Sequence, residues 1–186
     1  VTNDNGCIDS VTKGITVYET PVASATMSDS VGCAPFGVTF TNNSSGTNTY
    51  LWDFGDGRSS PVANPVIKYA VGGQYKSSLR VVTDIGCISS VTEKEINVAN
   101  MPKADFTATA PFCQYGEISL NDLSQPLGTS VKNWYWNFGD GQLDSVQTGS
   151  VFFHRYSNAG QFNVKLYVKN MLGCVSDTVI KSIAVA

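Results

Sequence analysis

The chain has 186 residues, of which 42% are hydrophobic and 15% are charged, and its formal net charge is −3. Because it carries no cluster of Lys and Arg, nucleic acid and anionic membrane surfaces are poor partners. No apolar run reaches the roughly 20 residues that a membrane-spanning helix needs, so direct membrane insertion is not expected. Abundant Thr, Ser, Asn, Val and Gly predict an all-β structure.

A short sequence near the start of the chain occurs in similar form twice more. The run that begins Gly6-Cys7-Ile8 matches the runs that begin Gly86-Cys87-Ile88 and Gly173-Cys174-Val175. Self-similarity at a fixed period indicates an array of small domains. We therefore interpret residues 1–20 as the last hairpin of a truncated preceding repeat. Residues 21–98 form the first full repeat and residues 99–186 the second, which makes the chain a fragment of a longer array.

Alternating apolar and polar residues within each repeat predict short strands. In the first repeat, Val38 and Phe40 mark an early strand, and Tyr50, Trp52 and Phe54 fall on one face of the next. A long strand follows at residues 75–81, and residues 91–98 close the repeat. About seven such strands, with turns every 8–12 residues, indicate an antiparallel β-sandwich.

One motif stands at the same place in both repeats. It comprises Trp52, Asp53, Gly55, Asp56 and Gly57 in the first repeat, and Trp136, Asn137, Gly139, Asp140 and Gly141 in the second. The tryptophans follow the apolar face of a strand, so we expect them to be buried in the core. The glycines supply the positive φ angles that a tight turn needs.

These residues together resemble the PKD domain, an immunoglobulin-like β-sandwich. The sequence Trp-Asp-Phe-Gly-Asp-Gly from Trp52 is the family's motif, and His154-Arg155-Tyr156 is similar to its H-x-Y sequence. The run that begins Gly160-Gln161-Phe162 is similar to its G-x-Y-x-V-x-L-x-V sequence. The first repeat departs from the pattern with Ile67 where the histidine would stand. The resemblance implies tandem PKD-type sandwiches.

The family implies extracellular spacer, adhesion and accessory modules. This chain has cysteines before the second strand of a repeat, such as Cys33, and in its last turn. In this respect it resembles the version of the PKD domain found in very large surface proteins of gliding and other bacteria. We therefore expect a non-catalytic stalk in a bacterial cell-surface adhesin that serves gliding motility. Its partners would be neighbouring repeats of the same chain, surface polysaccharide or other adhesin chains. The alternatives are a substrate-binding accessory module of a secreted hydrolase of polysaccharide or collagen, and a subunit of an extracellular filament.

Residues capable of catalysis or metal binding are few. His154 is the only histidine, and we expect it to hydrogen-bond near the turn at Asp140 rather than to serve a nucleophile. The sequence therefore predicts no enzyme and no cofactor. Calcium is the one ion whose preferred oxygen ligands occur, in Asp53, Asp56 and the turn at residues 3–6, but no D-x-D-x-D-G loop is present.

Two surface features remain. Tyr135, Phe153 and Tyr167 are the aromatic residues expected to be exposed, although they form no evident row. Four hydroxyl residues follow Asp and precede an aliphatic residue, which resembles the O-glycosylation site of exported Bacteroidota proteins. These candidate glycosylation sites are Ser10, Ser30, Ser145 and Thr178.

The five cysteines predict disulfides and an oxidising, extracellular location. In an immunoglobulin-like sandwich, Cys33 and Cys87 would lie about 25–30 Å apart, at opposite ends of a strand, whereas a disulfide needs Cα atoms within about 7 Å. Across a short linker, the first turn of one repeat meets the last turn of the next. We therefore favour an inter-domain bond between Cys33 and Cys174. The alternative is Cys33–Cys87 with Cys113–Cys174.

In the favoured scheme, Cys7, Cys87 and Cys113 pair with repeats outside the fragment or stay free.

Overall fold

The computed structural model describes residues 4–6, 8, 10–45, 49–109, 112–147 and 151–186. Within these ranges the protein contains fifteen β-strands and no helix, so the all-β prediction is confirmed. It follows that the described residues contain no apolar helix of a length that would span a membrane.

The first repeat folds into a three-stranded and a five-stranded sheet. Its strands are β1 (Ala25–Met27), β2 (Val31–Cys33), β3 (Phe36–Asn42), β4 (Thr49–Asp53), β5 (Ser59–Ser60), β6 (Val66–Tyr69), β7 (Gly73–Val82) and β8 (Thr92–Ala99). The strand orders are β1-β3-β6 and β2-β8-β7-β4-β5. All neighbours are antiparallel except β2, which pairs in parallel with β8 and brings Cys33 opposite Ala99.

The second repeat follows the same plan with two sheets of three and four strands. Its strands are β9 (Phe106–Thr109), β10 (Glu117–Asp122), β11 (Val131–Asn137), β12 (Leu143–Val146), β13 (Val151–Arg155), β14 (Gly160–Asn170) and β15 (Val179–Val185). The strand orders are β9-β10-β13 and β12-β11-β14-β15. Tyr69 is the last residue of β6, and Tyr156 directly follows β13, which is the corresponding strand of the second repeat. The two repeats therefore agree closely at this position.

Each repeat has a hydrophobic core of its own between its two sheets. The period of two along the strands explains which residues enter it, because successive side chains point to opposite faces. In the first core Phe40 packs between Trp52 and Phe54, with ring centroids 5.1 and 5.4 Å away. In the second, Trp136 stacks with Phe138 and contacts Phe106 edge-on. Trp52 and Trp136 are each only 2% exposed.

A buried tyrosine ties the two sheets together in each repeat. The hydroxyl of Tyr69 donates a hydrogen bond of 3.0 Å to the carbonyl of Phe54, and that of Tyr156 donates one of 2.8 Å to the carbonyl of Phe138. These bonds satisfy the backbone where the strand with the tryptophan ends. Burial raises the pKa of both tyrosines to about 12, so the phenols remain hydrogen-bond donors at any physiological pH.

Residues 10–20 form no strand in the structure, and all of them are exposed. A hairpin buries its apolar face only against other strands, and no described strand pairs with this segment. Ile15 and Val17, which alternate as strand residues do, are each 87% exposed. The interpretation of residues 1–20 as the last hairpin of a preceding repeat stays a prediction.

We expect Trp136→Ala to lower the free energy of unfolding by about 3–5 kcal/mol, because it removes a buried indole from a small core. Leu143→Ala is the matched control: this side chain is 73% exposed, so its removal should cost about 0.5 kcal/mol or less. Urea denaturation followed by circular dichroism measures both variants. Equal midpoints for the two would contradict the central role of the tryptophan.

Candidate functional site

The turns of the repeated motif are closed by the motif's own side chains. Asp53 Oδ1 accepts a hydrogen bond of 2.8 Å from the backbone N–H of Gly55, and Asn137 Oδ1 accepts one of 3.0 Å from Gly139. Because this position needs only one acceptor oxygen, Asp and Asn serve equally well. Gly55 has a φ of 73°, and a Cβ there would lie 2.6 Å from the backbone oxygen of Lys76. The conformation of the turn thus requires both the acceptor side chain and the glycine of the motif.

The second acidic residue of each turn is held differently in the two repeats. Asp56 and Asp140 each accept a backbone N–H with Oδ1, from Arg58 and Gln142, at 3.0 Å. The other oxygen of Asp56 accepts two bonds from the Arg58 guanidinium, at 2.9 and 2.5 Å. The other oxygen of Asp140 lies 2.8 Å from Nε2 of His154. An arginine within the turn therefore replaces the histidine of a neighbouring strand.

These contacts favour the ionised carboxylates. The hydrogen bond from the Arg58 guanidinium lowers the pKa of Asp56 below its ordinary value. Burial alone would raise the pKa of Asp140. Hydrogen bonds from the Gln142 backbone and the His154 ring more than offset this effect, so the pKa of Asp140 is also lowered.

The His154 ring is part of the core's aromatic packing. It is buried, it stacks on Phe138 with centroids 3.9 Å apart and planes 2° apart, and it meets Tyr156 edge-on at 4.5 Å. The register places Ile67 at the corresponding position of the first repeat, where an aliphatic side chain fills the space. This environment gives His154 a structural role beside Asp140.

No described part of the chain brings together three or more His, Cys, Asp or Glu side chains that could hold a metal ion. The oxygens of Asp53 and Asp56 bond to their own turn, as described above. Of the turn at residues 3–6, Asn3 lies outside the described residues. The absence of a cofactor, with calcium as the one alternative, stays a prediction.

The two repeats are joined covalently at their facing ends. Cys33, at the end of β2, forms a disulfide with Cys174, in the turn after β14, with Cα atoms 5.6 Å apart. Beside it, the side-chain amide of Asn170 donates a hydrogen bond of 3.3 Å to the carbonyl of Asn100. The alternative pairs of the sequence analysis are not formed, and Cys7 lies outside the described residues. We call this contact the stapled junction.

A tyrosine pair, defined as Tyr135 and Tyr167, lies on the outer face of the four-stranded sheet. Tyr135 was expected to be exposed but is half-buried, because the ring of Tyr167 covers one of its faces. The two residues are opposite each other on β11 and β14, with ring centroids 4.6 Å apart and planes 7° apart. Tyr167 is 37% exposed, whereas Phe153, which is 60% exposed, lies on the other sheet. Tyr135 and Tyr167 form no evident row in the sequence, because only the register of β11 and β14 places them opposite each other.

A shallow groove of about 570 Å³ runs beside the tyrosine pair. Besides the pair, its lining includes Leu143, Asp144, Ser145, Lys165 and Thr178. In the first repeat, Leu51 and Arg80 stand at the positions that correspond to Tyr135 and Tyr167, and they lie opposite each other on β4 and β7. An aliphatic residue and an arginine therefore stand where the second repeat has two stacked rings.

The four candidate glycosylation sites are all exposed. They are Ser10, Ser30, Ser145 and Thr178. Asp9, which precedes the first of them, lies outside the described residues. Ser145 and Thr178 both line the groove beside the tyrosine pair, so a glycan on either would cover it.

Two antiparallel sandwiches, each with a buried tryptophan and an Asp-centred turn and joined end to end by a disulfide, define a tandem array of immunoglobulin-like modules. The PKD domain matches residues 18–98 and again residues 105–180. The chain therefore belongs to the PKD domain family, in which it forms a tandem pair.

Similar proteins include two bacterial hydrolases. The pre-pro-metalloprotease PrtV of Vibrio cholerae is 28% identical over 134 residues, which cover 72% of this chain and 14% of the relative. The collagenase ColQ1 of Bacillus cereus is 55% identical over 38 residues, which cover 20% of this chain and 4% of the relative. The chain thus spans a small part of each relative's length.

Among solved structures, the PKD1 domain of the Vibrio cholerae metalloprotease PrtV is 24% identical, with a TM-score of 0.40. The match covers 46% of this chain and 96% of that domain.

We expect Asp56→Asn to make the protein's stability less sensitive to acid. A carboxylate whose pKa is lowered by folding stabilises the native state above its unfolded pKa and loses that contribution as the pH falls. The wild-type melting temperature should therefore drop more than that of the variant between pH 5 and a pH of about 3, on either side of the ordinary Asp value. Parallel curves would contradict the role of Asp56. Arg58→Gln, which leaves Asp56 without its guanidinium, should also flatten the curve.

Proposed function

We propose that this chain is a non-catalytic accessory segment of an extracellular hydrolase, which holds the enzyme at a polymeric substrate. The observation that carries the proposal is the tyrosine pair on the outer face of a sheet of the second repeat, where Tyr167 is exposed and Tyr135 is half-buried. The relatives add support, since one is a metalloprotease and another is a collagenase. The disulfide favours an oxidising compartment outside the cell.

The tyrosine pair suits a polymer with exposed rings. Its two phenol rings are stacked with nearly parallel planes, and each combines apolar surface with a polar hydroxyl. Both residues are on central strands of the sheet, so their positions are set by backbone hydrogen bonds on two sides. Such a site needs little ordering when a ligand binds, which lowers the entropic cost of binding.

Charged groups beside the rings point to a peptide-like polymer. Lys165 and Asp144 line the same groove and offer one cationic and one anionic partner for backbone or side-chain polar groups. Collagen, with its proline rings and exposed carbonyls, combines both features, and we take it as the substrate. A polysaccharide, whose sugar rings also stack on aromatic side chains, is the second substrate to test.

The first repeat carries no such pair and acts in this proposal as a spacer. The stapled junction holds it against the second repeat, so the tyrosine pair has a defined orientation relative to whatever lies on the other side of the spacer. A substrate-binding surface that is fixed in this way raises the local concentration of substrate near a catalytic domain.

We expect the intact chain to sediment with insoluble collagen fibres, and Tyr135→Ala with Tyr167→Ala to weaken this binding about tenfold or more, since each ring contributes stacking and burial. The matched control is Leu51→Ala with Arg80→Ala, the corresponding positions of the first repeat, which should bind like the wild type. Circular dichroism verifies that both variants fold. Binding that is equal in the two variants would contradict the proposal, and binding to cellulose or chitin alone would assign a polysaccharide instead.

A stalk in a large bacterial surface adhesin is the second candidate. The stapled junction favours it, because a covalent bond across the linker suits a segment that transmits load. The sequence of the whole gene product discriminates between the two. An adjoining catalytic domain supports the accessory segment, whereas a long series of further repeats supports the stalk of an adhesin, including one that serves gliding.

Glycosylation of the four exposed hydroxyls is a further prediction. A glycan on Ser10 or Ser30 is compatible with either role, whereas one on Ser145 or Thr178 would cover the groove beside the tyrosine pair and would favour the stalk. We expect intact-mass measurement of material from the native host to show added sugar on Ser10, Ser30, Ser145 or Thr178. Substitution of Thr178 by Val should remove one unit of that mass without unfolding an exposed position. A native mass equal to that of the bare polypeptide would rule the modification out.

A further inference from the structure

Two cysteines that form no disulfide in the structure, Cys87 and Cys113, stand at the positions that the stapled junction uses. Cys87 occupies the turn after β7, which corresponds to the turn of Cys174. Cys113 precedes β10, as Cys33 precedes β3. The described residues therefore contain one complete staple and one unpaired copy of each of its halves.

The turn that holds Cys87 reproduces the bonded turn closely. The carbonyl of Cys87 accepts a hydrogen bond of 3.0 Å from the backbone N–H of Thr83, as that of Cys174 does from Asn170. In return, each cysteine N–H donates to the side-chain oxygen of the same partner, at 3.0 Å for Cys87 and 2.9 Å for Cys174. The Cys87 backbone is thus already in the bonded conformation.

The segment that holds Cys113 also matches its bonded counterpart. The backbone N–H after Cys33, from Ala34, donates a hydrogen bond of 2.8 Å to Ala99 at the end of β8. The backbone N–H after Cys113, from Gln114, donates one of 2.7 Å to Ala186 beyond the end of β15. Cys113 is exposed, so its thiol is accessible to a partner.

The two thiols lie at the two outer ends of the tandem pair. Cys87 is separated from the stapled junction by the length of β7, which has ten residues, and Cys113 by the length of β14, which has eleven. At about 3.3 Å per residue, each strand places its thiol about 30 Å or more from the junction. A bond between Cys87 and Cys113 of one chain would need Cα atoms within about 7 Å, so each needs a partner outside the pair.

We propose that Cys87 and Cys113 are the two open halves of a repeated inter-domain staple, each of which forms a disulfide with the complementary cysteine of another PKD-type repeat. For the chain alone, that partner is a second copy, joined head to tail by Cys113 of one copy and Cys87 of the next. The proposal does not depend on the binding of collagen. A contact of this kind is heterologous, so it extends into a linear array rather than closing.

The chemistry requires an oxidant. Two thiols form one S–S bond with loss of two protons and two electrons, and a small disulfide such as oxidised glutathione accepts them. In the first exchange the thiolate of Cys87 or Cys113 displaces one glutathione thiolate. The second cysteine then attacks that mixed disulfide and releases the other.

The test uses the full chain with Cys7→Ser, so that this third thiol takes no part. Incubated with oxidised glutathione, this protein should form a ladder of covalent multimers on non-reducing gels. Peptide mapping should find Cys87 linked to Cys113, with Cys33–Cys174 intact. Two further variants test whether the bond joins Cys113 of one copy to Cys87 of the next. One adds Cys87→Ser and the other adds Cys113→Ser. Neither protein alone should dimerise, whereas an equimolar mixture of the two should give the heterodimer.

A displaced thiol is the matched control. Ile88→Cys combined with Cys87→Ser moves the thiol by one residue, from half-buried Cys87 to exposed position 88, and this variant should lose most of the heterodimer. Homodimers through Cys113 or Cys87 in the single variants, equal yield from the displaced thiol, or glutathione-capped monomers only would each overturn the proposal. Circular dichroism of every variant verifies that both repeats are folded.

Discussion

The disulfide between Cys33 and Cys174 is the contact on which the arrangement of this protein depends. Each sandwich has a small core of its own, and apart from this bond the segment between Ala99 and Lys103 is their covalent connection. Such a short connection limits the distance between two domains but leaves their rotation open. A second covalent link at the edge of the contact, supported by the hydrogen bond from Asn170, removes that freedom. The outer surfaces of the two repeats therefore keep a fixed relation to each other.

The sequence was a good guide to the interior and a poor guide to the surface. Alternation of apolar residues and the repeated Gly-Asp-Gly turn were enough to predict the all-β sandwich, because both features act through neighbours along the chain. The tyrosine pair depends instead on which residue of β11 lies opposite which residue of β14. An irregularity between Val131 and Asn133 shifts that register, and no local pattern announces it.

The replacement of His154 by Arg58 was hidden for a related reason. The first repeat lacks the family's histidine, but the need to hold a turn carboxylate remains. The guanidinium of Arg58, two residues after Asp56, holds this carboxylate. The same side chain also donates a hydrogen bond of 2.9 Å to the carbonyl of Lys68. The two repeats thus share a backbone fold, but different side chains hold the turn carboxylate, Arg58 in the first repeat and His154 in the second. Differences in side chains on a shared backbone are also how functions are added to a common fold.

The position of the staple also determines how the molecule would respond to a pulling force. Cys33 and Cys174 are separated by 141 residues in sequence, and the bond between them carries tension directly past everything in that loop. A pull on the two ends of the chain would extend only the residues before Cys33 and after Cys174. These residues include β1 and β15, so the pull would first have to detach those edge strands from their sheets, while Trp52 and Trp136 lie inside the closed loop. Under oxidising conditions the residues between Cys33 and Cys174 should therefore add no length to the stretched chain, and reduction should allow both domains to extend completely.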